Sequence, residues 1–286
     1  AGTLSLIQLT RSMQKHLRGK CHFVLMSGSA HPVLAGEEGN PHGAAFLSLA
    51  KTLRAECPGY SFQCVDTDET VLSPELLLGR ADTLMLANRK GKLYCPVLTQ
   101  LQLEERDVLR PEDGVCLVTG GTGGLGMELA GFLGSVWKRP VCLIGHSSLP
   151  PEEQWDDILE AAKDPKLCRQ ISRLKQLREE GVFPELAYGD CCDLGQMTAI
   201  VRAMREKYGR IAGVSHLAGV AGDGFLYQKP DAQLHRVLRP KMLGAMTLYE
   251  AVKEEKPDCF VMYSSMQTVM GGAGQGDYTA ANTFMN

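Results

Sequence analysis

Short apolar runs alternate with longer amphipathic stretches along the second half of the chain. Their period and length predict strands at Val115–Val118, Pro140–Ile144, Glu185–Tyr188, Ile211–Leu217 and Cys259–Tyr263. Helices are predicted near 124–136, 156–180, 195–208, 231–254 and 278–285. Strands that alternate with helices are typical of a parallel sheet, and the right-handed crossover rule then gives a doubly wound α/β fold.

The first half of the chain shows the same alternation. Strands are predicted at His22–Met26, Ser61–Val65, Leu84–Ala87 and Leu93–Val97, with a helix at Ala44–Ala55. The last two strands flank Arg89-Lys-Gly-Lys92, which favours a hairpin. The segment after the first strand, Ser27-Gly-Ser-Ala-His-Pro32, lacks a phosphate-binding glycine pattern. Residues 1–100 are therefore predicted to form an α/β unit that binds no dinucleotide. Residues 101–113, with Glu104, Glu105, Arg106 and Asp107, connect it to residues 114–286.

Composition narrows the function classes. The 286 residues are 44% hydrophobic and 22% charged, as in ordinary globular proteins. The net charge of −3 gives no indication of nucleic-acid or membrane-surface binding. No apolar run approaches the roughly 20 residues of a membrane span, and no signal peptide opens the chain. The ten cysteines and seven histidines show no metal-binding spacing. We predict a reduced, cytoplasmic protein without a metal.

The strongest chemical signal directly follows the strand Val115–Val118. It is an uninterrupted turn that opens a helix: Thr119, Gly120, Gly121, Thr122, Gly123, Gly124, Leu125 and Gly126. The glycines at 121, 123 and 126 have the Gly-x-Gly-x-x-Gly spacing, which allows a tight turn, close approach of a pyrophosphate and close packing of helix on strand. A helix N-terminus also favours phosphate groups. The order of strand, glycines and helix favours a dinucleotide site over a simple turn.

A second group of candidate residues lies near the end of the chain. Tyr278 and Asn282 are four residues apart in an alanine-rich helical segment, so they share one face of the helix. Ser265 ends the preceding apolar strand, and ligands bind at the carboxyl ends of strands in open parallel sheets. A serine and a tyrosine so placed can converge on one carbonyl oxygen. Taken singly, each has a simpler interpretation, as a packed tyrosine or a turn-forming serine.

The glycine-rich turn, Ser265, Tyr278 and the helix that follows resemble a short-chain dehydrogenase/reductase. Most members carry lysine four residues after the tyrosine, where this chain has Asn282. Lys241, in Leu238-Arg-Pro-Lys-Met-Leu-Gly244, stands where ordinary members have asparagine. That exchange is typical of the ketoreductase domains of polyketide synthases and animal-type fatty acid synthases. The phrases Ser148-Leu-Pro-Pro-Glu-Glu-Gln-Trp155 and Gly219-Val-Ala-Gly-Asp-Gly-Phe225 look most like ketoreductases of trans-acyltransferase assembly lines.

The resemblance implies both chemistry and partners. Tyr278 would donate a proton to the alkoxide formed when a nicotinamide hydride attacks a ketone. Lys241 would supply a nearby positive charge, Ser265 would hydrogen-bond the carbonyl oxygen, and Asn282 would relay protons through water or orient Lys241. The substrate would be a β-ketoacyl chain carried by the phosphopantetheine of an acyl carrier protein, within a synthase of neighbouring domains. Residues 1–100 would be the family's truncated, cofactor-free Rossmann-like structural subdomain.

Cofactor type and stereochemistry are also implied by the resemblance. NADPH is favoured over NADH because no acidic residue follows the second strand, where His146 and Ser147 can donate hydrogen bonds to a 2′-phosphate. Asp193 matches a position that contacts adenine, although it also suits a helix N-cap. Ala218-Gly219 resembles an element that lines the cofactor. Asp223 partly matches the signature of the class that yields a D-configured hydroxyl, and its alternative role is that of a turn residue.

Three expectations remain open on sequence alone. The family continues beyond Asn282 with another strand and a substrate lid, so the chain is expected to be a fragment that lacks the lid. A stand-alone short-chain reductase is an alternative, although such enzymes lack a partner unit like residues 1–100. A catalytically silent structural domain of a synthase is another, although Ser265, Tyr278 and Lys241 are all present.

Overall fold

The computed structural model of the protein describes residues 2–68, 72–73, 83–102 and 111–286. Contacts divide the chain into two compact units. The first unit comprises Ala1–Glu104, Val220–Met242 and Ser264–Asn286, and the second comprises Glu105–Gly219 and Leu243–Tyr263. Each unit has its own sheet and its own apolar core, so each is described separately.

The described elements follow one another in chain order. The strands are β1 (Cys21–Gly28), β2 (Tyr60–Thr67), β3 (Met85–Arg89), β4 (Lys92–Tyr94), β5 (Val115–Thr119), β6 (Val141–Gly145), β7 (Glu185–Tyr188), β8 (Ile211–His216) and β9 (Cys259–Met262). The helices are α1 (Gly2–His16), α2 (Pro41–Glu56), α3 (Gly124–Ser135), α4 (Trp155–Ala161), α5 (Pro165–Glu179), α6 (Leu194–Tyr208), α7 (Asp231–Val252), α8 (Gln267–Met270) and α9 (Gly276–Met285). Short 3₁₀ turns lie at Glu152–Gln154 and Lys253–Glu255.

The second unit is built on a parallel sheet with the strand order β7-β6-β5-β8-β9. The central strand β5 is buried along its whole length, and its side chains alternate between two cores. Cys116 and Val118 pack in a cluster that includes residues of α3 and α5. Val115 and Leu117 pack in a second cluster that includes residues of α6. Helices therefore cover both faces of the sheet, which confirms the predicted doubly wound α/β fold.

The helix predicted near 156–180 is divided in the structure. Ala162 adopts a left-handed conformation with φ of 48° and ends α4. Asp164 then caps α5, because its carboxylate accepts the N–H groups of Lys166 (2.9 Å) and Leu167 (3.1 Å), and Pro165 occupies the first helical position. Asp-Pro is a helix start signal in its own right. The prediction of one continuous helix was wrong because the apolar spacing runs on across this break.

The first unit contains a sheet with the order β1-β2-β3-β4. The first three strands are parallel, whereas β3 and β4 form an antiparallel hairpin. Lys90 and Gly91 make its turn with φ of 52° and 77°, the left-handed pair that two-residue hairpins require. The predicted hairpin is therefore confirmed, but β4 ends at Tyr94 rather than Val97. Helix α1 was not predicted.

Ionic contacts hold the carboxyl end of this first sheet. Arg89, 3% exposed, donates from Nε to both carboxylate oxygens of Glu37 at 3.0 Å and from Nη2 to Asp66 at 3.2 Å. The Asp66 carboxylate also accepts the N–H groups of Ala30 (2.7 Å) and His31 (2.8 Å) in the segment after β1. In a nucleotide-binding unit, this end of the sheet holds phosphates. Here a guanidinium group and two carboxylates stabilise the segment.

The core of the first unit combines distant parts of the chain. Helix α9 packs against α2, and small residues such as Ala44, Ala45, Ala280 and Ala281 allow the close approach. Phe284 adds an edge-on ring contact to His42, with centroids 5.0 Å apart. Described residues between Leu4 and Met85 thus share one core with Ala280, Ala281 and Phe284.

The predicted domains do not coincide with these compact units. The first unit takes in 220–242 and 264–286, which the sequence assigned to the catalytic subdomain. The structural subdomain at 1–100, the connector at 101–113 and the catalytic subdomain at 114–286 stay predictions. Glu104, Glu105, Arg106 and Asp107 of the connector lie outside the described residues. Among the described helices, none combines the length and apolarity needed to cross a membrane.

Candidate active site

Three glycines of the turn after β5 are required by packing. Gly120 has φ of +68°, and a Cβ there would lie 2.8 Å from the backbone nitrogen of Ala218. A Cβ on Gly121 would lie 2.7 Å from the Cα of Leu143, and one on Gly126 would lie 2.6 Å from the Cα of Gly121. Cβ atoms do not approach other non-bonded atoms this closely, so a side chain at any of these three positions would displace the neighbouring backbone.

The other two glycines leave open space at the start of α3. A Cβ on Gly124 would meet nothing within 4 Å, and one on Gly123 would meet only the Gly120 carbonyl oxygen, at 3.1 Å. Gly123 caps α3 without a side-chain acceptor, and Gly123, Gly124 and Leu125 are exposed. An uncapped helix start with an exposed backbone suits an anionic ligand. The turn therefore fits the pyrophosphate of a dinucleotide.

Hydrogen bonds hold the strands on either side of this turn. The side chains of Thr119, at the end of β5, and His216, at the end of β8, are both buried and are joined by a 2.7 Å hydrogen bond between Oγ1 and Nδ1. Gln170 donates to the carbonyl oxygen of Thr122 at 2.8 Å. The half-buried Ala218 and the exposed Gly219 follow β8 and lie beside the turn at Gly120.

The other predicted cofactor residues lie at the carboxyl ends of neighbouring strands. His146 and Ser147 follow β6 and are exposed, with 3.5 Å between Nδ1 and Oγ. Asp193 is the N-cap of α6: its carboxylate accepts the backbone N–H of Gln196 at 3.0 Å and the side-chain amide at 2.9 Å. The backbone N–H of Gln196 is the main cause that lowers the pKa of Asp193. The capping role is therefore observed, and an adenine contact stays a prediction.

Tyr278 is the one residue of α9 that is not fully buried. The helix turns its other side chains into the first unit's core, because it is rich in alanine and threonine and packs against α2. Within the described part of the chain, the tyrosine hydroxyl makes no hydrogen bond. It is thus positioned on a rigid helix with its polar end available to a ligand.

Asn282 lies in α9, the helix that carries Tyr278, and Ser265 lies in a turn that is hydrogen-bonded to α9. Asn282, fully buried, donates from Nδ2 to the Tyr278 carbonyl oxygen at 2.8 Å. Its Oδ1 has no partner among the described residues, which is unusual for a buried amide and leaves an acceptor for a bound group. Ser264 donates to the Asn282 carbonyl oxygen at 3.4 Å, which ties the Ser264–Ser265 turn to α9. The Ser265 hydroxyl accepts the N–H of Gln267 at 3.2 Å, so it also starts α8.

Lys241 lies in α7 and belongs to the same compact unit as Tyr278. It is only 4% exposed. Burial lowers the pKa of Lys241 below its ordinary value, because an ammonium group loses solvation energy when water is removed. A lysine in this environment loses its proton at a lower pH than a surface lysine does.

Asp223 is exposed and forms a local turn. Its Oδ1 accepts the N–H of Gly224 at 2.8 Å, and its carbonyl oxygen accepts the side-chain amide of Gln233 at 3.1 Å. Gly224 has φ of +94°, which glycine adopts without strain. The turn role is therefore observed, and a role in stereocontrol stays a prediction.

Comparison with known proteins identifies the family. A family model described as KR domain matches residues 114–286. This chain belongs to the KR domain family. KR domains are ketoreductases of the short-chain dehydrogenase/reductase superfamily, and they use a nicotinamide cofactor. The predicted resemblance to a polyketide synthase ketoreductase is confirmed, whereas the trans-acyltransferase subtype stays a prediction.

Relatives of this KR domain are polyketide synthases. It is 31% identical to polyketide synthase PksN of Bacillus subtilis (strain 168) over 200 residues, 69% of this chain and 3% of that protein. It is 31% identical to polyketide synthase GfsA of Streptomyces halstedii over 264 residues, 92% of this chain and 3% of that protein. Both relatives are far longer than this chain. A crystal structure of a ketoreductase domain from the bacillaene assembly line matches 99% of this chain and 64% of that one, with a TM-score of 0.76 and 24% identity, which shows the fold.

One group of possible metal ligands directly precedes the predicted residue Asp193. The ligand atoms of Asp190, Cys191 and Cys192 are within 4.8 Å of one another. Burial raises the pKa of Cys191 to about 12, which disfavours the thiolate that binds metals. Asp190 accepts the N–H of Cys192 at 2.9 Å, as in an ordinary turn. The absence of a metal stays a prediction.

Sequence reasoning missed a buried ionic network in the first unit. It joins Glu56, Lys229 and Asp277 to Leu226, which follows Asp223, and to Gly274, which precedes α9. Asp277 directly precedes Tyr278, which is the only local signal. The other partners are 45 to 218 residues apart in the chain, and no periodicity links them.

Proposed function

We propose that this KR domain reduces a β-ketoacyl thioester, carried by an acyl carrier protein, to the β-hydroxyacyl thioester with NADPH. One observation carries the proposal. Helix α9 is buried except for Tyr278. Within the described residues the Tyr278 hydroxyl makes no hydrogen bond, so it is available to a ligand. Family membership supplies the reaction type. The acyl carrier protein is proposed because the relatives are multidomain polyketide synthases.

Tyr278 is proposed as the general acid. The bound nicotinamide would supply a hydride to the ketone carbon, so the carbonyl oxygen acquires negative charge and needs a proton. The Tyr278 hydroxyl donates that proton, and Ser265 holds the oxygen by a hydrogen bond. The charged form of Lys241 stabilises the resulting tyrosinate. Asn282 relays a proton through water to restore the tyrosine, a role for which its unpartnered Oδ1 is suited.

NADPH is proposed rather than NADH. The turn from Thr119 to Gly126 would hold the pyrophosphate on exposed backbone at the start of α3. His146 and Ser147 are exposed after β6 and offer hydrogen-bond donors to a 2′-phosphate. No carboxylate stands at 145–148 to repel it. Asp193 would contact the adenine while it caps α6, and Ala218-Gly219 would line the cofactor.

The product is proposed to have the D-configured hydroxyl. Support comes from the partial match of Asp223 to the corresponding class. The neighbouring synthase domains and the cytoplasmic location stay predictions that follow from the family and from composition.

A Tyr278→Phe variant tests the proposal. Phenylalanine keeps the ring and removes only the proton donor, so NADPH oxidation measured at 340 nm with a β-ketoacyl N-acetylcysteamine thioester should fall about 100- to 10,000-fold. NADPH affinity and thermal stability should change little. Tyr249→Phe is a matched control, since Tyr249 is 57% exposed and belongs to the second unit.

Two results would contradict the proposal. Unchanged turnover in Tyr278→Phe would remove the proposed acid. If the wild-type protein binds NADPH but reduces none of several β-ketoacyl thioesters, the domain is a silent structural one. Chiral analysis of the product tests the D assignment separately, because an L product keeps the reductase and discards only the role of Asp223.

A further inference from the structure

A buried carboxylate from α2 joins two loops of the first unit. Glu56, the last residue of α2, is 7% exposed. Its Oε2 accepts the N–H of Leu226 at 2.8 Å, and its Oε1 accepts the N–H of Gly274 at 2.9 Å. One side chain therefore holds two backbone segments that are far apart in the sequence.

A buried ion pair joins the same region from the other side. The Lys229 ammonium donates to Asp277 Oδ1 at 2.6 Å and to the Gly274 carbonyl oxygen at 3.1 Å. The side chains of Lys229 and Asp277 are 2% and 0% exposed. Gly274, with φ of +80°, is thus held at its N–H by Glu56 and at its carbonyl by Lys229.

These contacts lead directly to the proposed reactive residues. Asp277 Oδ1 also accepts the N–H of Tyr278 at 2.9 Å, so the ion pair fixes the start of α9. A Cβ on Gly274 would lie 3.3 Å from the nitrogen of Gly224 and 3.5 Å from Oδ1 of Asp223, so the two loops are in contact. Gln275 adds a hydrogen bond to the Gly222 carbonyl oxygen.

Stability alone does not account for the network. Burial raises the pKa of Glu56 above its ordinary value, although the N–H groups of Gly274 and Leu226 act in the opposite direction. Asp277 Oδ2 is buried without a partner among the described residues. Well-packed apolar side chains often stabilise a fold as well as buried charges do. Charges that hold particular backbone groups instead fix a conformation.

We propose that Glu56 and Lys229 are positioning residues for ketone reduction: they clamp the Asp223 loop (222–226) to the loop before Tyr278 (271–275). The inference rests on the proposed function. The clamp would determine which face of the ketone is open to the hydride while the ketone oxygen contacts Tyr278. A residue of the half that carries no glycine-rich turn would then contribute to stereocontrol.

A Glu56→Gln variant tests the clamp. Glutamine has nearly the same shape but keeps one acceptor oxygen and places an N–H₂ group against a backbone donor. Hydrogen exchange at Leu226 or Gly274 should accelerate about 10-fold. With the thioester substrate, kcat should fall about 10-fold with little change in KM, and the share of the minor enantiomer should rise. Arg54→Gln, at an exposed position of the same helix, should match wild type in all three.

A double variant guards against simple loss of folding. Lys229→Met with Asp277→Asn removes both charges and keeps an acceptor for the Tyr278 N–H. It should fold, accelerate exchange at Gly274 and alter the product ratio in the same direction. Faster exchange with unchanged kcat and product ratio in both variants would overturn the positioning role. Unchanged exchange would overturn the clamp itself. No reduction by wild type would instead reject the proposed function, because exchange reports on the contacts without any substrate.

Discussion

Lys241 shows how the surroundings of one residue set its chemistry. The side chain, which projects from α7, is almost fully buried, and the loss of water lowers the pKa of Lys241. A surface lysine stays charged far above neutral pH, whereas this one loses its proton in a lower range. If its charge stabilises the Tyr278 oxygen after proton donation, then the reaction depends on pH through Lys241.

We expect an alkaline loss of activity that Lys241 determines. The value of kcat/KM for NADPH, which reports on the free enzyme, should fall as pH rises through the lowered pKa, below 10.5. In Lys241→Arg the guanidinium stays charged, so the loss should move to higher pH even if the maximum is lower. Lys253→Arg, at an exposed position, should leave the profile unchanged. Superimposable profiles for wild type and Lys241→Arg would exclude this role.

The same pKa has a consequence for folding. In the window between the lowered folded-state value and 10.5, the unfolded chain binds more protons at Lys241 than the folded protein does. The free energy of unfolding should therefore increase as pH rises through that window. This increase with pH should be absent from Lys241→Met.

At the scale of elements, local features were readable in the sequence and non-local ones were not. The turn after β5 was recognised because the strand end, the glycines and the helix start are contiguous. Apolar runs placed the strands of the second unit for the same reason. The Glu56 contacts span 170 and 218 residues, so no local pattern contains them. Helix α1 was missed although its buried residues Leu6, Ile7, Thr10 and Met13 recur at helical spacing. The break at Ala162 was hidden inside a continuous apolar spacing.

The glycine turn offers a matched pair of substitutions. Gly126→Ala places a Cβ 2.6 Å from the Cα of Gly121, so we expect α3 to shift and the free energy of unfolding to fall by about 1–3 kcal/mol. Gly124→Ala meets nothing within 4 Å and should leave the stability of the free protein within about 0.5 kcal/mol. Denaturant unfolding measures both. Equal losses in the two variants would show that packing does not distinguish these glycines.

Measuring NADPH affinity in the same two variants distinguishes an effect on packing from an effect on ligand binding. If phosphate lies against the exposed backbone at the start of α3, Gly124→Ala should weaken NADPH binding while the fold stays intact. Unchanged affinity, measured by fluorescence titration, would place the phosphate elsewhere.

At the scale of the whole molecule, the first unit depends on sequence outside the part that the family model matches. That model covers 114–286, yet α9 packs against α2 and shares its core. The apolar side of α9 includes Ala280, Ala281 and Phe284, which are buried with residues of 1–104. The part of the chain that lacks a glycine-rich turn therefore helps to support the tyrosine helix.

A fragment of residues 111–286 tests this dependence. Without α2, the apolar side of α9 would face water, and burial of a side chain such as Phe284 stabilises a fold by about 1.5–3 kcal/mol. We expect hydrogen exchange in α9 to lose its protection while β5, whose partners β6 and β8 remain, keeps it. The full chain is the control, and β5 is an internal reference in both samples. Equal protection of α9 in fragment and full chain would mean that the matched region holds its tyrosine helix alone. Loss of protection confined to α9 would give a reason for the α/β part that has no glycine-rich turn. That part supplies apolar side chains that pack against α9, the helix that carries Tyr278.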